Sequence, residues 1–216
     1  MSLRWFALGL AVTLGCTSYQ TLTLPRTIPA GEWRFAVAPT MTSGFPVSPS
    51  SAFAPVLPTL SVMIRRGLSE RLEVGVELEP LARAELDLKV QLLQARTDYE
   101  GFDLAVAPSA GYGLDFLDGG DFAPNIETFT AQLPLLVGVN VGDRHQIVLA
   151  PRCAYELWFG RSSFVHGGGS FGIAFRFDDF SLMPQVTYLH TWSGQNIALP
   201  GPNRVQLGVV LFVGSR

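Results

Sequence analysis

Lysine is nearly missing from this chain, with Lys89 the only one, and cysteine occurs only as Cys16 and Cys153. The remaining basic residues are scattered arginines, so no Lys/Arg-rich tract exists to follow a phosphate backbone. A formal net charge of −3 gives no reason to expect a nucleic-acid partner. Two cysteines cannot build a disulfide framework. No stretch of about 18 or more apolar residues occurs, which excludes a helical membrane span. Charged residues are scarce, 15% of the chain where soluble domains average about a quarter. Hydrophobic residues nevertheless reach 48%, and mean hydropathy is +0.28. A membrane-like composition without a spanning helix leaves a closed β-barrel, because only helices and barrels satisfy their backbone groups in lipid.

What the chain does contain is alternation. "RLEVGVELEP" (71–80) and "AELDLKVQLL" (84–93) set Glu73, Glu77, Glu79, Glu85, Asp87 and Lys89 at every second place between Leu and Val. Period-2 patterning recurs near 33–41, 58–66, 71–80, 84–94, 102–114, 127–141, 145–158, 163–177, 180–192 and 204–214. Such spacing is the signature of strands, and no segment shows a sustained helical repeat. The expected fold is all-β, an antiparallel up-and-down transmembrane barrel of about ten strands, with eight or twelve as alternatives. Long, turn-rich connections at 42–57, 115–126 and 193–203 are expected on the outside and are the candidate surfaces for a protein partner. Shorter turns are expected on the periplasmic side.

Alternation alone leaves open which face is inside. A soluble lipocalin-like ligand binder would turn its apolar side inward. The second face decides, because its uncharged members are small: Ala36, Ala38, Ala105, Ala107, Gly138, Ala150, Ala174 and Gly208, for example. These suit a crowded barrel interior better than a solvent coat. Its larger members are Arg34, Arg65, Glu73, Glu77, Glu79, Glu85, Asp87, Lys89, Asp103, Arg152, Glu156 and Arg176, seven acids against five bases. So near a balance predicts a paired charge network filling the lumen. Aromatics near strand ends are expected to form interfacial belts. Trp33, Phe102, Phe129, Phe177 and Phe180 are assigned to the periplasmic rim, with Tyr112, Trp158, Phe164, Tyr188 and Trp192 to the outer one. Prolines at 39, 108, 134, 151 and 184 conflict with a closed ladder unless bulges absorb them.

The N-terminus reads as an address. Met1–Arg4 is a short basic start, Trp5–Leu14 an apolar core, and "TLGC" ends at Cys16. This resembles a bacterial lipobox. The resemblance implies a signal peptide over 1–15, acylation of Cys16, and a lipidated periplasmic tether over 16–31 leading to the barrel at 32–216. It places the N-terminus in the periplasm.

"RRGLSERLEVGV", "FDLAVAPSAGYG", "LPLLVGVNVGDRHQIVLAPRCAY" and the closing "VQLGVVLFVG" resemble hairpins of small bacterial outer-membrane β-barrel proteins. That resemblance implies a Gram-negative outer-membrane location, contact with outer-membrane lipid, and a structural, interaction or narrow-transport role. It brings no catalytic residues and no cofactor. The alternative is a barrel enzyme of deacylase or phospholipase type using His190 or His166. His190 falls on the lipid-facing parity, however, and His166 on the lumen side, where it reads as part of a polar network. "HGGGSFG" lacks the lysine of a phosphate loop. Asp115, Asp118 and Asp121 are a weak candidate for a cation site without EF-hand spacing.

Overall fold

The computed structural model describes residues 19–45, 57–79, 83–97, 100–115, 126–160, 162–193 and 203–214. The strands are β1 (Trp33–Phe45), β2 (Leu57–Ser69), β3 (Leu72–Glu79), β4 (Arg83–Leu93), β5 (Glu100–Val106), β6 (Ser109–Asp115), β7 (Ile126–Val141), β8 (His145–Trp158), β9 (Ser162–Arg176), β10 (Phe180–Ser193) and β11 (Asn203–Gly214). Each pairs antiparallel with its neighbours, β1 pairs with β11, and β3 with β4, so the sheet closes on itself. β5 and β6 pair with the same two neighbours, β4 and β7, and are one wall strand interrupted at Ala107–Pro108. The result is a closed ten-stranded antiparallel barrel.

Closure places the faces unambiguously. Outward positions carry exposed apolar side chains, including Leu86 at 62% and Leu207 at 57%, while inward Arg65 is 1% exposed and Lys89 0%. A soluble lipocalin-type arrangement requires the reverse, and the geometry overturns it. Sliding β3 by one residue would turn Glu73 and Glu77 outward, so the period of two locks the register.

The three longest connections, 46–56, 116–125 and 194–202, join strand ends at one rim, together with the short 80–82 and 159–161; 70–71, 94–99, 142–144 and 177–179 join strand ends at the other. These are the long-loop and short-turn rims below. Trp33, Phe102, Phe177 and Phe180 stand outward at the short-turn rim as expected, the last two stacked at 4.6 Å. Phe129 does not join them. It pairs with Tyr112 and Leu157 at the long-loop rim, because β7 begins there. Trp158 and Phe164 also depart from the expected belt. Both share the parity of Glu156 and His166, so they turn into the lumen and meet edge-to-face at 4.9 Å.

The prolines are accommodated mostly without bulges. Pairing of β1 with β11 passes from Val37↔Leu211 to Thr40↔Gly208, skipping Pro39 with no change of register. On its other side Pro39 stays opposite Leu60. The same omission occurs between β7 and β8 beyond Pro134 and between β9 and β10 at Pro184. A missing N–H removes one ladder bond on one flank, and the other flank keeps the strand in place. Only Pro108 splits its strand.

Candidate functional site

The lumen is the site, and its chief occupant is the chain's own N-terminal segment. Residues 19–32 form neither helix nor strand, consistent with the aperiodic sequence. Their position differs from the expected periplasmic tether over 16–31: Tyr19, Leu22, Leu24, Thr27 and Ile28 are buried inside the barrel. We call residues 19–28 the strap. Thr27 Oγ1 donates to the Glu70 carbonyl at 2.7 Å, at the short-turn rim. Tyr19 lies fully buried in the opposite half, its hydroxyl donating to Glu156 Oε2 at 2.5 Å, two residues from the end of β8.

Barrel side chains hold the strap by its backbone. The Tyr19 amide donates to Gln206 Oε1 at 2.9 Å, the Thr27 amide to Gln91 Oε1 at 2.8 Å, and the Ile28 amide to Glu73 Oε2 at 2.8 Å. Lys89 Nζ donates to the Leu24 carbonyl at 2.8 Å and the Arg26 carbonyl at 3.0 Å. Arg152 donates to the Tyr19 carbonyl and to Thr21 Oγ1. A buried, extended backbone needs such partners, since each unpaired amide or carbonyl costs about 1–3 kcal/mol. The wall is thinned where the strap passes. A Cβ on Gly208 would overlap the Gln20 carboxamide, and one on Gly138 would come within 2.8 Å of Pro25 Cγ.

The predicted charges do come together, in two groups. In the short-turn half, Arg65 Nε meets Glu73 Oε1 at 2.5 Å and Arg65 Nη1 meets Asp87 Oδ2 at 2.9 Å. Lys89 Nζ lies 2.6 Å from Glu73 Oε1. Arg34 is buried opposite Arg65 on the neighbouring strand. Asp103 accepts from the Ala95 amide at 2.9 Å and Gln146 Nε2 at 3.1 Å, and pairs with Arg26 of the strap at 3.4 Å. Arg176 reaches Asn140 at 3.0 Å and is only partly buried. In the long-loop half, Glu77, Glu79 and Glu85 are buried; Glu85 accepts from Arg83 and from Gln132 Nε2 at 3.1 Å.

Glu156 ties a second knot. Besides Tyr19 it accepts from Trp158 Nε1 at 2.6 Å, contacts His166 Nε2 at 2.9 Å, and has Arg204 Nη1 at 4.0 Å. His166 Nδ1 lies 2.9 Å from Thr191 Oγ1. Hydroxyl, imidazole and carboxylate in line is the order of a nucleophile relay. Here the Tyr19 ring covers the imidazole at 5.3 Å, and Thr191 is 5% exposed. His166 thus lies in the lumen network, beside Glu156. His190 is outward, bonded to Asn203 at 2.8 Å and edge-on to Trp192 at 4.6 Å.

Sequence reasoning missed Arg26, Arg83, Arg204 and the glutamines at 91, 132, 146, 185 and 206. Their signal was parity: each of those glutamines falls on the inward face. A neutral amide there can serve a backbone donor or acceptor equally. The 1–15 segment, Cys16, Asp118, Asp121 and the side chain of Asp115 lie outside the described residues. Among the described residues no group of three or more His, Cys, Asp or Glu is placed to hold a metal ion.

No protein-family model matches the chain, and no curated protein does. Among solved structures, it is similar to the attachment invasion locus protein Ail of Yersinia pestis at 9% identity and a TM-score of 0.32, over 86% of this chain and 98% of that one. It is similar to the translocator domain of the autotransporter NalP from Neisseria meningitidis at 11% identity and a TM-score of 0.43, over 99% and 95%. Neisserial surface protein A matches at 11% and 0.27, over 84% and 95%.

Proposed function

We propose that this chain is an outer-membrane β-barrel protein with a structural or interaction role, its pore closed by its own N-terminal strap. The apolar outer wall needs a hydrocarbon surround, and a closed barrel leaves no unpaired edge within it. The three longest connections stand together at one rim, as at the outer end of such barrels, with no connection longer than 94–99 at the other. On this reading 46–56, 116–125 and 194–202 are the segments open to a protein partner, and Cys16 carries the lipid that its lipobox-like context implies.

The single observation that carries the closed pore is the strap itself. It lies within the lumen, and among the described residues a cavity beside it, between Gln20–Thr23, Met63, Glu77 and Arg152, has a volume of about 30 Å³. That is roughly the share of one water molecule, too little for a hydrated ion. A narrow conduit is therefore the weaker of the two roles. The test is single-channel recording in planar bilayers. The full chain should be silent, and a variant lacking residues 19–28 should show steps of current. Steady conductance by the full chain would rule out the plug.

A further inference from the structure

Two of the prolines that interrupt the ladders fall into one row. Pro39 of β1 lies opposite Leu60 of β2, and the register on either side of the gap sets it opposite Val209 of β11. Val209 pairs with Pro184 of β10, which the register sets opposite Ile173 of β9. The two prolines thus stand two strands apart at one height. One ladder is interrupted between β1 and β11, the other between β10 and β9, while the β10–β11 ladder between them is unbroken. All five side chains of the row have outward parity.

The outer wall is recessed over this row. A groove of about 630 Å³ crosses β2, β1, β11, β10 and β9, a volume within the range of about 300–1,000 Å³ typical of ligand sites. Pro39, Val209 and Pro184 are compact, and beside them Met41 and Leu207 stand out, 59% and 57% exposed. Thr40, Gln185 and Gly208 also line the groove although their parity is inward, so it reaches the level of the backbone. A proline offers no ladder bond from its nitrogen, and both gaps lie under the groove.

Resting on the membrane reading above, we infer that this groove is a binding site for an acyl chain of a surrounding phospholipid. Height decides the occupant. Pro39 is the central residue of β1, six residues from either end. In an apolar band about 25 Å tall, a lipid headgroup stays about half that distance away, and hydrocarbon alone reaches the groove. The groove is continuous with the exposed apolar wall, through Phe35 and Val37 on one side and Val186 and Tyr188 on the other. A second barrel would present a convex wall, which meets another convex wall along a line and leaves a recess empty. An empty recess forfeits dispersion contacts along its lining; a flexible hydrocarbon chain recovers them.

The test is native mass spectrometry of the full chain, released from detergent micelles after titration with dioleoyl phosphatidylethanolamine. One phospholipid per barrel should stay bound under activation that strips the rest. Val209→Trp and, from another strand, Val186→Phe fill the groove and should lower the retained fraction by about tenfold, as losing about a dozen close carbon contacts would. Leu86→Trp, on β4 and outside the groove, should leave it unchanged. Retention of no phospholipid, or equal retention by the filled variants, overturns the site. So does a doubled mass that Val209→Trp abolishes, because a second copy would then be the occupant. Flotation with lipid vesicles tests the membrane reading separately. A chain that does not float refutes that reading and the site with it; a chain that floats yet keeps no phospholipid refutes the site alone.

Discussion

Replacing Lys89 by methionine tests whether the lumen was built around the strap or merely tolerates it. Methionine keeps most of the volume but deletes a charge that touches four groups: Glu73 at 2.6 Å, Leu24 O at 2.8 Å, Arg26 O at 3.0 Å and Thr23 Oγ1 at 3.3 Å. Two carbonyls lose their donor, at about 1–3 kcal/mol each when buried. Glu73 retains Arg65 and the Ile28 amide, so its carboxylate is not stranded. The total is about 4 kcal/mol, within the roughly 3–5 kcal/mol seen when one partner of a buried pair is removed. Urea unfolding in detergent micelles, followed by tryptophan fluorescence, measures it. The decisive comparison repeats Lys89→Met in a chain lacking residues 19–28. There the carbonyls are absent and the cost should fall by more than half. An equal cost in both backgrounds, or a change within about 0.5 kcal/mol in the full chain as at an indifferent surface site, would refute the idea that Lys89 serves the strap.

Three further outcomes follow from the same contacts. Gly208→Val places a side chain where Gln20 sits; it should dislodge the long-loop end of the strap, raise protease cleavage within 19–28, and produce flickering conductance in bilayers that otherwise stay silent. Tyr19→Phe removes one bond to a buried carboxylate and should cost about 1.5–3 kcal/mol, measured by the same urea titration, with hydrogen exchange faster at the Tyr19 and Thr21 amides than at Ile28. Leu86→Arg puts a charge on the outer wall at a position 62% exposed and should cost about 2–4 kcal/mol if that surface lies at the bilayer midplane; refolding yield into lipid vesicles reads it out, and an unchanged yield would count against a membrane-facing wall.

Most of the barrel was legible because its physics is local. Glu73, Glu77, Glu85 and Asp87 between leucines and valines determine parity by themselves, and parity determines which face is enclosed. Strand ends were less legible. Trp158 and Phe164 look like belt residues by position, yet their parity with Glu156 and His166 sends them inward. The strap was not legible at all. "YQTLTLPRTI" has no period because it answers to no ladder; its partners are carboxamides and charges distant in sequence, such as Gln206 for Tyr19. A hint was present in three of the inward glycines, Gly67, Gly138 and Gly208, which read as fillers of a narrow interior and leave clearance for the strap. The near balance of seven acids and five bases was read as self-pairing. Arg26, Arg83 and Arg204 complete it, the first supplied by the strap.

The β1–β11 seam gives the strap a topological meaning. Once those two strands have zipped, the segment before β1 is encircled, and a bulky group on its free end could no longer be drawn through. With the lipid proposed on Cys16, the last hairpin would have to shut upon an N-terminal portion already lying across the opening, a mandrel for assembly before it becomes a stopper.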